Sequence, residues 1–160
     1  MRIQAKFRCL GINSRWDGRH TVELAPVCDK EFPENKMFWE ATPSGQAEVE
    51  TGPDCPFEVG EFYLITFDRI QIEYSQIPEE ELGHHYRLAH VMDMGGTIEV
   101  RLMSGWGYRT ENHTRHAVDG IRNGTVTMNI CNRQAWPHFQ GQVEEGLWRV
   151  TYEKTSLQGS

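Results

Sequence analysis

The sequence predicts a mainly β protein (α+β), built as two tandem β-β-α-β-β units that form small OB-like or half-barrel β structures, each with one short helix. Three observations predict it. Segments of alternating polar and apolar residues recur between clusters of turn residues, the mark of half-buried strands. A short helix-like stretch, Glu34-Asn35-Lys36-Met37-Phe38-Trp39-Glu40-Ala41-Thr42-Pro43-Ser44-Gly45, has two strand-like segments on each side. A degenerate copy of the whole order begins about halfway along the chain.

Residues 5–12 read as the first strand, and the loop 13–20 carries the turn signal Asp17-Gly18. Thr21 to Val27 alternates with Val22, Leu24 and Pro26 on one face. Pro26 cannot donate to a ladder, which places that end of the strand at an edge. Residues 33–41 form the helix, with Pro33 in the first turn, where its missing N–H leaves nothing unpaired. Thr42-Pro43-Ser44-Gly45 stops it, because the residue before proline avoids the helical region and Pro and Gly suit a turn. Residues 46–51 alternate again, and Val59 to Phe67 is the strongest strand of the first half.

Residues 85–154 repeat this order. Phe7-Arg8 corresponds to Tyr86-Arg87, Ile12 to Val91, and Thr21-Val22-Glu23-Leu24 to Thr97-Ile98-Glu99-Val100. Glu34-Asn35 corresponds to Glu111-Asn112, and Ser44-Gly45 to Asn123-Gly124. Ala47, Val49 and Thr51 match Val126, Met128 and Ile130. Pro56-Phe57 has its counterpart in Pro137-His138-Phe139, and Phe62 to Phe67 in Leu147 to Tyr152. Length differences fall in loops, where they are tolerated best. Generic alternation reproduces strands, but not a Glu-Asn pair at a helix start and a turn glycine after it. A tandem duplication is therefore expected, with units at 1–70 and 84–155. The linker 71–83 contains Glu79-Glu80-Glu81 and reads as a solvated acidic connector; residues 156–160 are a tail. The second unit is expected to pack on the first.

The first copy resembles a group of small bacteriophage-encoded proteins. Its string ENKMFWEATPSG, followed by an alternating strand and FEVGEFYLITF, is similar to their pattern ENxxFxxxTPSG … FxPGxxYYVDF. The resemblance covers residues 5–68 well and the second copy faintly. The chain departs from the pattern at Glu58-Val59-Gly60, where a proline precedes the glycine in the group, and in carrying a second copy. No activity is assigned to those single-unit proteins, so the resemblance implies a phage source and a shared fold.

The 160 residues are 38% hydrophobic and 11% aromatic, enough for a core. A mean hydropathy of −0.60 indicates a large surface relative to it. The net charge of −7 speaks against a general coat for nucleic acid, which is usually basic. Charge is uneven: residues 1–75 hold 8 basic and 13 acidic side chains, and residues 82–160 hold 8 and 7. A nucleic-acid face would thus lie on the second unit. No run is long enough to span a membrane, and the first residues lack the apolar stretch of a signal peptide. The expected location is the host cytoplasm or the virion. Cys9, Cys28, Cys55 and Cys131 show no CxxC spacing and read as free thiols.

The candidate site residues are aromatic. Met37-Phe38-Trp39 sweeps about 200° of a helix, so all three cannot face one core. The aligned Thr114, Arg115 and His116 are polar. Phe38 and Trp39 therefore either pack on the linker or the second unit, or anchor a partner. Trp16, Trp106, Tyr108 and Trp136 stand in predicted loops beside Arg15, Arg109 and Arg133. With Arg115 these arginines form the candidate set for single-stranded nucleic acid, which stacks on aromatic platforms along a cationic groove. His113 and His116, spaced i, i+3, are a usable metal pair with His90 on a strand, but no acidic residue or cysteine completes a metal pattern. No GxSxG, phosphate loop, GxGxxG or HExxH occurs.

The leading expectation is a non-enzymatic, cofactor-free phage protein that binds another protein, as a virion component or on a host factor. One alternative is an OB-like protein that binds single-stranded nucleic acid. Another is a small-molecule or metal site between the two units.

Overall fold

The computed structural model describes residues 2–16, 18–27, 44–93, 95, 98–104, 120–130 and 147–155. Eight strands lie in that span: β1 (Arg2–Ser14), β2 (His20–Pro26), β3 (Ser44–Thr51), β4 (Phe62–Ile70), β5 (His85–Asp93), β6 (Ile98–Ser104), β7 (Ile121–Ile130) and β8 (Leu147–Thr155). All neighbours are antiparallel, and the strands close one barrel in the order β1-β2-β3-β7-β6-β5-β8-β4. Residues 2–70 and residues 85–155 contribute four strands each, and the two groups meet along β3·β7 and β4·β8. Closure gives each strand two neighbours, which removes the open edges of a flat sheet.

Strand direction sorts the strand ends. Ser14, His20, Thr51, Phe62, Ser104, Ile121 and Thr155 lie at one end of the barrel, termed the upper end. Pro26, Ser44, Ile70, Asp93, Ile98, Ile130 and Leu147 lie at the lower end.

Alternation fills the barrel. Ile98, Val100, Leu102 and Ser104 of β6 point inward, and Glu99, Arg101 and Met103 outward. Val22 and Leu24 of β2 and Tyr63, Ile65 and Phe67 of β4 follow the same period. The inward apolar side chains of these strands join Phe7, Ala47, Val49, Tyr86, Val126, Met128, Trp148 and Val150 in one buried cluster. Each large member contributes about 1.5–3 kcal/mol by leaving water. Outward positions such as Arg8, Glu48, Arg149 and Glu153 are exposed. An apolar interior with a charged exterior is the reverse of a lipid-facing barrel. Among the described residues, no helix is long and apolar enough to cross a membrane.

Several boundaries differ from the sequence expectation. β1 extends to Arg2 because its ladder with β4 begins at Arg2↔Asp68. β4 starts at Phe62 rather than Val59, since Glu61 N donates to Glu58 O (3.2 Å) and closes a turn before the strand. Pro26 lies where β2 outruns β3, whose pairing with β2 stops at Leu24↔Ala47. The connector is not simply solvated. It forms short 3-10 helices at Tyr74–Gln76 and Glu79–His84. Ile77 and Leu82 are buried against Leu147 and Ile70. The acidic run hid these apolar anchors, although Glu80 itself is exposed. The predicted helix at 33–41 and its counterpart lie outside the described residues.

Two irregularities recur. The β1·β2 ladder shifts between Cys9 and Gly11, and the β5·β6 ladder shifts between Leu88 and His90. Each is a bulge that adds a residue to one strand and bends it. The β5·β8 seam is short, with three paired positions against seven for β1·β4.

Candidate functional site

The upper end of the barrel carries the most exposed aromatic side chain among the described residues. Trp16 sits at the β1–β2 turn and is 97% exposed. Such exposure of a large apolar ring opposes the hydrophobic effect, and the turn that holds it is braced. Arg15 N donates to Arg19 O (2.7 Å), closing the hairpin. Arg15 Nη1 donates to Glu50 Oε1 on β3 at 2.8 Å, and Arg19 Nη1 lies 3.8 Å from the same oxygen. Asn123 Nδ2 on β7 donates to Glu50 Oε2. The Glu50 carboxylate thus ties three segments, and its side chain is only 14% exposed. Gly52 N donates to Gly120 O (2.9 Å), joining the β3–β4 loop to the start of β7 at the same end.

The other sequence candidates divide by position. Phe38, Trp39, Trp106, Tyr108, Trp136, Arg109, Arg115, Arg133, His113 and His116 lie outside the described residues. Their described flanks do not lie together. Ser104 and Gly120, which bracket the segment bearing Trp106 and Tyr108, are at the upper end with Trp16. Val27 and Ser44, which bracket Phe38 and Trp39, are at the lower end, as are Ile130 and Leu147, which bracket Trp136. His90 is half-buried with its Nε2 3.8 Å from Glu99 Oε2. Among the described residues, no group of histidine, cysteine and carboxylate side chains could hold a metal ion. Cys9 and Cys55 are outside any disulfide.

A comparison with protein-family models and with curated proteins finds no match.

Sequence reasoning missed the buried polar groups. His84 and His85 are both buried. His84 Nδ1–H donates to Val150 O and His85 Nδ1–H to Glu81 O, each at 2.8 Å. Both bonds end on backbone carbonyls, which leave no side-chain pattern to read. The one available signal is position, shortly after the apolar Leu82 and at the start of an alternating strand. Inside the barrel, the hydroxyls of Tyr86 and Tyr152 share a hydrogen bond of 2.6 Å. Burial pushes both phenols above their ordinary range, so the pair stays neutral and polar in an apolar interior.

Burial also lowers the His85 pKa from its ordinary value, with the Glu81 carbonyl contact opposing the shift. The unfolded chain therefore takes up a proton at higher pH than the folded one. This contribution to stability is full above the ordinary histidine value, about 6.5, and declines as pH falls toward the lowered folded value. Urea midpoints compared at pH 7.5 and 5.5 should drop less in His85→Asn than in the parent. An equal drop in both would assign the acid sensitivity to other groups.

Proposed function

We propose that this chain is a phage-derived, non-enzymatic binding protein acting through protein–protein contacts, as a virion component or on a host factor. We further propose that its barrel arose by tandem duplication of a four-stranded unit. The observation that carries the binding reading is Trp16, wholly presented to solvent on a hairpin fixed by Glu50. Tryptophan dominates interface energetics because it removes a large ring from water at little entropic cost. A braced turn lowers that cost further, since the loop is ordered before it binds.

The pairing registers support the duplication. In β1·β2 the bulge follows Cys9, and in β5·β6 it follows Leu88, the residue aligned with Cys9 when Phe7 is matched to Tyr86. Phe7 pairs with Tyr63, and Tyr86 with Trp148, the matched residues of the fourth strands. In the second strand the ladders match Val22 with Val100, two residues from the equivalence read in the sequence. That shift preserves which face points inward, because the strand period is two.

The single-stranded nucleic-acid reading fits the described residues less well. Arg15 is committed to Glu50, and Glu48 stands exposed on the same strand. Trp16→Ser tests the choice. Its melting temperature should stay near that of the parent, because an exposed substitution usually changes stability by about 0.5 kcal/mol or less. Affinity for a partner captured from phage-infected host cells should fall roughly thirtyfold, the scale of an interface hot spot. Undiminished capture by a stable Trp16→Ser protein would remove the site. Oligonucleotide binding that weakens steeply with salt would favour nucleic acid instead.

A further inference from the structure

We infer that the half comprising residues 2–70 is self-complementary: the edges of β3 and β4 fit a second copy of that half, closing the same barrel as a dimer. The inference rests on the duplicated reading above. Its basis is the position of the two seams between the halves. The β3·β7 ladder includes Ala47↔Val126, and the β4·β8 ladder includes Thr66↔Thr151. In both pairs the two residues are counterparts in the repeat. Each seam therefore joins a strand to its own equivalent, running antiparallel about an approximate two-fold axis, which is the geometry of an isologous interface.

Replacing β7 and β8 by second copies of β3 and β4 keeps the pairings chemically matched. Val49, opposite Gly124 in the intact chain, would face Gly45, the counterpart of Gly124. Ile65, opposite Tyr152, would face Phe67, and the ring–aliphatic contact would survive. On the outer face, Gln46 would lie opposite Glu48 in place of Thr127, and an amide can donate to a carboxylate. None of these exchanges sets like charges face to face.

Side-chain volume makes the two assemblies unequal. The second half is larger at four matched interior positions: Trp148 for Tyr63, Tyr86 for Phe7, Met128 for Val49 and Val126 for Ala47. A barrel of two first halves is underfilled, and underfilled cores lose stability through the voids they keep. The intact chain thus prefers its own second half. The covalent connector strengthens that preference by raising the effective concentration of the matched edges.

The connector supplies the place to test this, because Gln71, Ile72 and Glu73 are exposed. A site-specific protease sequence after Glu73 in the full chain allows the folded barrel to be cut. Native mass spectrometry then reads the cut barrel, its halves refolded together, and the first half refolded alone. The cut barrel should retain both halves, and the mixture should restore it. The first half alone should appear as a dimer, about tenfold or more weaker than the mixed pair. A first half that stays monomeric or precipitates, while the mixture restores the barrel, overturns the inference and leaves the duplication and the Trp16 reading intact. A mixture that does not restore the barrel overturns it too, since the edges would then not suffice for pairing.

Discussion

Gly124→Ala should cost about 3 kcal/mol, toward the upper range for overpacking a core, and lower the melting temperature by roughly 10 °C. The reason is a contact across the barrel interior. The Tyr86 ring reaches from β5 to β7, and a Cβ at Gly124 would overlap its hydroxyl oxygen. The Glu48 carbonyl oxygen lies 3.2 Å from the same point, so a backbone atom crowds the added methyl as well. Tyr86 cannot swing away without breaking its bond to Tyr152. Tyr86→Phe should therefore restore much of the loss. It removes the overlapping oxygen and leaves a ring carbon at 3.1 Å, a contact that a small shift of the freed ring relieves. Alone, Tyr86→Phe should destabilise by about 1 kcal/mol, because it strands the Tyr152 hydroxyl. Thermal melts of the four proteins form a double-mutant cycle with a coupling of about 2 kcal/mol. Additive losses would show that the ring and the glycine do not compete for the same space.

Gly83→Ala should be nearly as damaging, for a different reason. A methyl group at Gly83 would overlap the Ile121 carbonyl oxygen and sit 2.9 Å from its carbon. Both partners are backbone, so relief requires moving the connector away from β7. Gly83 directly precedes His84 and His85, whose ring nitrogens fasten this stretch to Val150 and Glu81. Displacing it would loosen those bonds together with the packing of Leu82 on Leu147. A loss of about 2–3 kcal/mol is expected, with faster proteolysis within 71–83. Unchanged proteolysis together with an unchanged urea midpoint would mean that the connector docks without this contact.

How much of this was legible follows from which interactions are local. The alternation in Thr21 to Pro26, Gln46 to Thr51 and Phe62 to Phe67 reports burial on one face, and those segments are strands. The proposed repeat is legible because residues it pairs, such as Ala47 with Val126 and Val49 with Met128, are buried in both halves. The joining of β3 to β7 was not visible. Pairing partners are chosen by closure of the whole sheet, and no window of sequence contains both strands. The acidic run at 79–81 masked the connector's anchors, since two apolar residues among charges give no period. Among the candidate residues, Trp16 could be singled out but not ranked. The hairpin that presents it is braced by Glu50, a residue that alternation alone marks only as outward-facing.

The two-fold axis that the proposed duplication implies crosses the barrel wall through both seams and lies across the barrel, not along it. Counterpart loops therefore leave by opposite mouths: the β1–β2 turn opens upward and the β5–β6 turn downward. Each mouth gathers strand ends of both halves, drawn from non-equivalent places. A duplicated chain of this topology begins with two identical faces pointing in opposite directions. Every later substitution in one repeat alters the two faces differently. On the proposed duplication, the barrel is a two-headed body whose heads were free to diverge from the first mutation onward.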